Sequence, residues 1–259
     1  MTIHALRRSI CLALAALAIY GSTVTAQTLI ENAAEVRFQL DLKVPEAALT
    51  PMLPTGFAFN VAPQGPAKDA NLRVVFIDRV TVNGPDGKPV GKGSGRLVYL
   101  VVPVKDGGGA AAQLVVGGLT ADPADAPGPF GMYLPASTHT MRRTVGGSLG
   151  AMVESQDWVF GAASGERLEL HVVFEKSTPN RAAASDTKFY SARNPGLVQN
   201  HRQEQMVDIL RNATTNPPDR MKEYSFKAGG GSFAKIFDGS ETVLSWDNFI
   251  WVNRAVLTP

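Results

Sequence analysis

Cysteine is almost absent: the chain has one, Cys11, and it lies in the apolar run at residues 10–20. That run follows Arg7 and Arg8 and precedes the small residues Val24, Thr25 and Ala26, the three-part pattern of a secretory signal with cleavage expected after Ala26. Loss of residues 1–26 would remove Cys11 and with it any disulfide, thiolate metal ligand or cysteine nucleophile. The paired arginines admit a twin-arginine route, although a plain Sec signal is the simpler reading. Long hydrophobic stretches are also lacking. The run at 10–20 is shorter than the roughly 20 apolar residues that cross a bilayer, and no second one follows. The mature protein is therefore expected to be soluble and periplasmic or secreted, without a membrane contact once the signal is gone.

An excess of one charge is missing as well. The whole chain has 25 basic and 23 acidic residues; without Arg7 and Arg8 the count is 25 − 2 = 23 against 23, a net charge of 0. Nucleic acids and anionic membranes recruit concentrated basic surfaces, so neither is an expected partner. Residues 27–259 suffice for one domain with a substantial core.

What is present is strand grammar. Residues 35–43 alternate strictly, with Val36, Phe38, Leu40 and Leu42 on one side and Glu35, Arg37, Gln39, Asp41 and Lys43 on the other, a half-buried strand. Pro45 then opens a short helix over Glu46, Ala47, Ala48 and Leu49, which Pro51 and Pro54 end within a turn or two. Residues 72–77 form a strand, Asn83-Gly84-Pro85-Asp86-Gly87 a hairpin turn, and 96–104 a central strand apolar on both faces. Residues 111–116 make another apolar strand, and 117–131 read as a long Gly/Pro/Asp-rich loop of the kind that carries function. Strands are expected at 138–145, 152–160, 167–175, 223–227, 232–237 and 242–257. The pattern predicts an irregular connection over 177–200 and an amphipathic helix over 203–212, ended by Asn216-Pro217-Pro218-Asp219. No helix alternates regularly with the strands, which argues against a doubly wound parallel sheet and leaves a barrel or a sandwich.

Several of these stretches, in this order, resemble the acetoacetate decarboxylase superfamily. They are Val44-Pro45-Glu46-Ala47-Ala48-Leu49, Leu53-Pro54-Thr55-Gly56-Phe57, the strands at 97–103 and 114–118, and the loop into Phe130-Gly131-Met132-Tyr133. The resemblance implies a mainly β (α+β) single domain over residues 27–259, an antiparallel closed β-barrel or cone with a few short outer helices and an internal cavity. Closure would also remove exposed strand edges. Those decarboxylases carry aromatic-Gly-x-Pro-Lys-Lys, whose first lysine forms a Schiff base after desolvation and a neighbouring cation lower its pKa. Here the matching stretch is Phe130-Gly131-Met132-Tyr133-Leu134-Pro135, with no lysine, and the family's Tyr-x-Glu meets Tyr99-Leu100-Val101, with no glutamate. Arginine stays protonated and cannot replace an amine nucleophile, so Schiff-base decarboxylation is not expected.

Candidate site residues cluster around residues 128–145. Arg142 and Arg143 alternate across a strand, so one of them is free to point inward and hold a carboxylate, enolate or phosphate through its planar fork. Tyr133 and His139 supply a hydroxyl and a titratable imidazole, and Tyr99, Phe130 and Tyr133 supply aromatic walls. No cofactor is expected. His201 and Glu204 have a spacing that could share a metal if a helix began early, but a third ligand from His139 or His171 would be needed, nothing in the spacing demands it, and no metal site is assigned. Gly146-Gly147-Ser148-Leu149-Gly150 fits G-x-S-x-G without the helix that motif requires, Gly91-Lys92-Gly93-Ser94-Gly95 reads as a hairpin turn, and Asn212-Ala213-Thr214 is a glycosylation acceptor in form. Two functions fit. The first is an exported barrel that binds a small carboxylate- or carbonyl-bearing ligand on Arg142 or Arg143; the second is a lysine-independent lyase, hydratase or isomerase that adds His139 or Tyr133 for proton transfer. Convergence of two or more of Tyr133, His139, Arg142 and Arg143 on one cavity would favour the enzyme; one alone would favour binding.

Overall fold

A computed structural model of the chain describes residues 27–122, 128–148, 150–210 and 219–258. The expected export signal, the acceptor at 212–214 and most of the stop signal at 216–219 lie outside the described residues. Twelve strands follow in order: β1 (Leu29–Lys43), β2 (Ala58–Phe59), β3 (Leu72–Asn83), β4 (Gly95–Lys105), β5 (Ala111–Thr120), β6 (Tyr133–Ser148), β7 (Ala151–Ala162), β8 (Arg167–Glu175), β9 (Asn180–Ser191), β10 (Val198–Asp208), β11 (Met221–Gly229) and β12 (Thr242–Leu257). One short helix, α1 (Glu46–Leu49), begins after Pro45 and runs into a 3-10 turn at Thr50–Met52, as the proline pattern predicts.

Pairing closes a ring. Starting from β4, each neighbour is hydrogen-bonded to the next through β5, β9, β10, β12, β1 and β3, and β3 returns to β4. The join between β5 and β9 is parallel and short, Gln113↔Phe189 to Val115↔Ser191. Further along the same edge β5 leaves β9 and pairs with the start of β6 at Gly118↔Tyr133. From there β6, β7, β8 and β11 form an antiparallel sheet outside the ring. This is the expected mainly β architecture, with the strands closed on themselves.

Strand alternation sends residues to two different interiors. Phe38, Leu40 and Leu42 of β1, Val74 and Phe76 of β3, and Val98, Leu100 and Val102 of β4 point out of the ring into a core completed by Trp158, Phe160 and Phe174 of the outer sheet. The rings interlock there, with Phe76 and Trp158 centroids 5.8 Å apart and Phe38 and Phe174 6.0 Å apart. The opposite residues, Val75, Ile77, Leu97, Tyr99 and Val101, face a second cluster inside the ring. This explains why β4 is apolar on both sides.

Four elements differ from the sequence pattern. Residues 177–200 are not irregular but contain β9, and of the helix expected over 203–212 the described part, 203–210, is not helical but continues β10 to Asp208. Each strand has to pair on both edges to close the ring, and that requirement overrides the helix-like spacing of Met206, Val207, Ile209 and Leu210. Residues 232–237 are largely a 3-10 turn, Gly231–Lys235, that tucks Phe233 and Phe237 into the core. The expected loop at 117–131 begins later, because β5 runs to Thr120.

Candidate functional site

On the polar face of β1, Glu35, Arg37 and Asp41 are buried. Glu35 and Arg37 are 1% and 5% exposed and point into the ring. Arg37 donates from Nε to Glu35 Oε2 at 2.7 Å and from Nη1 to Gln203 Oε1 of β10 at 2.8 Å. On the other side of the same carboxylate, Arg254 of β12 donates from Nε to Glu35 Oε1 at 2.9 Å and from Nη2 to Glu31 Oε1 at 2.9 Å. Glu35 is thus an anion shared by two guanidiniums from different strands. Burial alone would raise its pKa, but Arg254 and Arg37 overcome this and hold it down to about 2.

β12 delivers Arg254 through an irregularity. Its register against β1 jumps between Val252 and Phe249, and its register against β10 jumps between Trp251 and Phe249. The extra residue changes the parity of the strand. Arg254 and Val256 therefore line the ring interior together with Phe249, which strict alternation would have sent outward.

Two chambers open inside the ring, and Tyr99 lines both. The first, about 260 Å³, has Arg37, Gln113, Gln203, Thr187 and Phe189 in its wall. Two buried polar atoms there have no hydrogen-bond partner: Nη2 of Arg37 and Oε1 of Gln113. That Nη2 is 2.5 Å from Glu35 Oε2, close enough for charge attraction but outside hydrogen-bond geometry. The second chamber, about 180 Å³, is lined by Tyr99, Phe130, Tyr133, His201 and Arg254. Tyr133 reaches it because its ring lies against the backbone of Gly118, where a Cβ would come within 2.5 Å of the tyrosine ring. Phe130 is fixed by Ser191, whose hydroxyl donates to the Phe130 carbonyl.

His201, on β10, is 4% exposed and stacks on Phe189 with centroids 4.2 Å apart. Its Nε2 is 3.2 Å from Gln199 Oε1, while Nδ1 is buried without a partner. Burial first, then the Arg254 and Arg37 charges, push its pKa well below the ordinary imidazole value. Burial likewise raises the Tyr99 phenol, against the pull of Arg37. Both rings are neutral near pH 7.

Of the residues singled out from sequence, Tyr99, Phe130 and Tyr133 come together in this cavity. The others do not. Arg142 is exposed on β6, and Arg143 turns to β7, donating from Nε and Nη2 to Glu154 at 2.6 and 3.0 Å. Neither lines the chambers, because β6 belongs to the outer sheet for all but its first residues. His139 is exposed in a shallow groove with Lys92, Ser94 and Arg96. Ser148 ends β6 at a strand-to-strand hairpin, which removes the hydrolase motif. His201 and Glu204 lie on opposite faces of a strand, with Glu204 paired to Arg181, and among the described residues no group of three potential metal ligands exists. Sequence reasoning missed Glu35, Arg37, Gln203 and Arg254 as site residues. The alternation of Gln199, His201, Gln203 and Gln205 was the local signal of an inward-facing polar strand.

Neither a protein-family description nor a curated protein sequence matches the chain. Solved structures do. The enduracididine biosynthesis enzyme MppR complexed with pyruvate superposes with a TM-score of 0.53 at 12% identity, covering 92% of this chain and 91% of that one. An acetoacetate decarboxylase-like enzyme from Sphingomonas wittichii RW1 gives 0.53 at 11%, covering 89% and 93%. The acetoacetate decarboxylase of Legionella pneumophila gives 0.50 at 12%, covering 89% and 87%. At such identities the likeness is one of fold. Among the described residues no lysine lines either chamber, so the chain has the acetoacetate decarboxylase-like fold around a cavity wall without an amine.

Proposed function

We propose that this protein binds a small carboxylate- or carbonyl-bearing organic molecule in the first chamber of the ring and does no Schiff-base chemistry. Arg37 is the anchor, taking the part expected of Arg142 or Arg143. The observation that carries this is one wall that sets the buried Arg37 guanidinium, ion-paired to Glu35, beside an amide acceptor at Gln113 Oε1 that has no partner among the described residues. Buried polar atoms are rarely left without partners. A small oxo or hydroxy acid supplies an oxygen for the first and, in its hydroxylated or hydrated form, a donor for the second. Val75, Val101 and Phe249 give such a molecule an apolar back wall.

Binding is favoured over catalysis by a count. A lysine-independent lyase, hydratase or isomerase on this barrel needs a proton-transferring group beside the charge-stabilising one. Of Tyr133, His139, Arg142 and Arg143, only Tyr133 lines the ring interior. The pattern of residues 1–26 supports export, so we place the action outside the cytoplasm; N-terminal mass analysis of the secreted protein should begin at Gln27.

Ligand that binds the native state raises its melting temperature. Purified protein screened against acetate, pyruvate, lactate and acetoacetate should show a rise with at least one. The rise should disappear in Arg37→Met and shrink in Arg37→Lys, which keeps the charge but not the fork. Borohydride added with pyruvate should leave the protein mass unchanged, whereas a trapped adduct would restore the Schiff-base reading. Failure of every acid to shift the melting temperature would remove the Arg37 anchor.

A further inference from the structure

The second chamber is a different environment from the first. Its wall is mainly ring and aliphatic, with Tyr99, Phe130 and Tyr133 beside Ile77, Leu97 and Val256. Its volume of about 180 Å³ is of the order that encloses one six-membered ring, since engineered apolar cavities of about 150 Å³ take up benzene. Arg254, Arg79 and Glu31 in its wall, with Glu35 behind them, are already engaged with one another. No free charge is offered to an ionised ligand from that network.

His201 supplies the polar feature. Gln199 presents its carbonyl oxygen to Nε2, so Nε2 carries the hydrogen, and a neutral imidazole with a protonated Nε2 has a bare lone pair on Nδ1. That atom is buried and has no partner among the described residues. The plane of the ring is held by stacking on Phe189, which in turn meets Tyr99 and Phe130, and its edge by the bond to Gln199. A fixed acceptor at the wall of an aromatic chamber recognises a single hydrogen-bond donor on an apolar body.

We propose that the second chamber is a separate ligand site, for a ring-sized apolar molecule bearing one hydroxyl or N–H, with Nδ1 of His201 as the acceptor. Phenols and cyclic alcohols are the matching class. The aromatic walls receive the ring edge-on or offset, and the phenol or alcohol hydroxyl donates to Nδ1. Burial of His201 and the nearby Arg254 and Arg37 keep the imidazole unprotonated, so the acceptor persists well into acid. This site does not depend on Arg37 holding an acid in the other chamber.

The test titrates the full protein, labelled with nitrogen-15 at histidine, with phenol and with anisole, its methyl ether of similar shape. Phenol should saturate, move the His201 Nδ1 resonance in the direction of an accepted hydrogen bond, and bind at least about tenfold more tightly than anisole. His201→Phe should abolish the preference for phenol, while Arg37→Met should retain it and lose only the response to acids. If His201→Phe does not fold, the comparison of phenol with anisole and the Nδ1 resonance decide the matter in the wild-type chain. Equal affinity for the two compounds, an unmoved Nδ1 resonance at saturation, or no phenol binding at millimolar concentration would each overturn the proposal.

Discussion

The two interiors of this molecule are opposite faces of the same strands. On one face of β1 and β3, Phe38, Leu40 and Phe76 pack against Trp158 and Phe174 of the outer sheet, all of them buried. On the other, Glu35, Arg37 and Val75 look into a ring that stays hollow. The packed face gives stability through excluded water and close contact. The hollow face holds its buried charge in a network, with Arg37 and Arg254 sharing the single carboxylate of Glu35. A closed ring can afford an interior that is not filled, because a second core outside it holds the strands together.

Substitutions should separate the two faces. Phe76→Ala, in the packed interior, should cost about 3–5 kcal/mol in denaturant unfolding. Val75→Ala, its sheet neighbour on the hollow side, should cost about 1 kcal/mol, because it enlarges an existing space. Equal losses would break the distinction. Glu35→Gln removes the anion shared by two buried guanidiniums and should cost about 3–5 kcal/mol, approaching Phe76→Ala although it deletes no apolar contact.

Acid unfolding sharpens the same contrast. The folded pKa of Glu35 lies near 2 against an ordinary 4.5, so its contribution is complete above about pH 4.5 and is lost as pH falls toward 2. That difference of about 2.5 units corresponds to roughly 3 kcal/mol. Glu35→Gln should lack this segment of the pH profile. His201 acts earlier. Its folded pKa is depressed, so the unfolded chain takes up the proton first, and stability should begin to fall below about pH 6.5 by up to about 1.4 kcal/mol per pH unit. His201→Phe should flatten that segment, and a profile unchanged by the substitution would show that the imidazole is not buried. The smallest effect is expected at Arg142→Ala, within about 0.5 kcal/mol of wild type, because Arg142 is exposed on β6 away from both interiors.

Much of the fold was legible in the sequence because a half-buried strand announces itself by alternation. β1, β7 and β8 show it clearly, and the doubly apolar β4 correctly reads as covered on both faces. Alternation does not tell whether the polar face is wet from outside or lines a hollow, and this is why Glu35 and Arg37 looked like surface residues. The same ambiguity disguised β9 and β10. Ser185 and Thr187 of β9 and Gln203 and Gln205 of β10 face the first chamber, so these strands lack the apolar stripe that marks a core element. For the site, the aromatic residues Tyr99, Phe130 and Tyr133 were found and the cations were not. Arg254 stands 219 positions from Glu35, and a chain irregularity in β12 is needed to turn it inward. No local spacing reports such a pairing.

The central claim is that Arg37, and not Arg142 or Arg143, is the guanidinium that anchors a small acid in the first chamber. The most direct test is to measure the melting temperature with and without saturating small acid in wild type, Arg37→Met and Arg142→Ala side by side. The account predicts an acid-dependent rise in wild type and Arg142→Ala, and none in Arg37→Met. A rise that survives in Arg37→Met and vanishes in Arg142→Ala would contradict it.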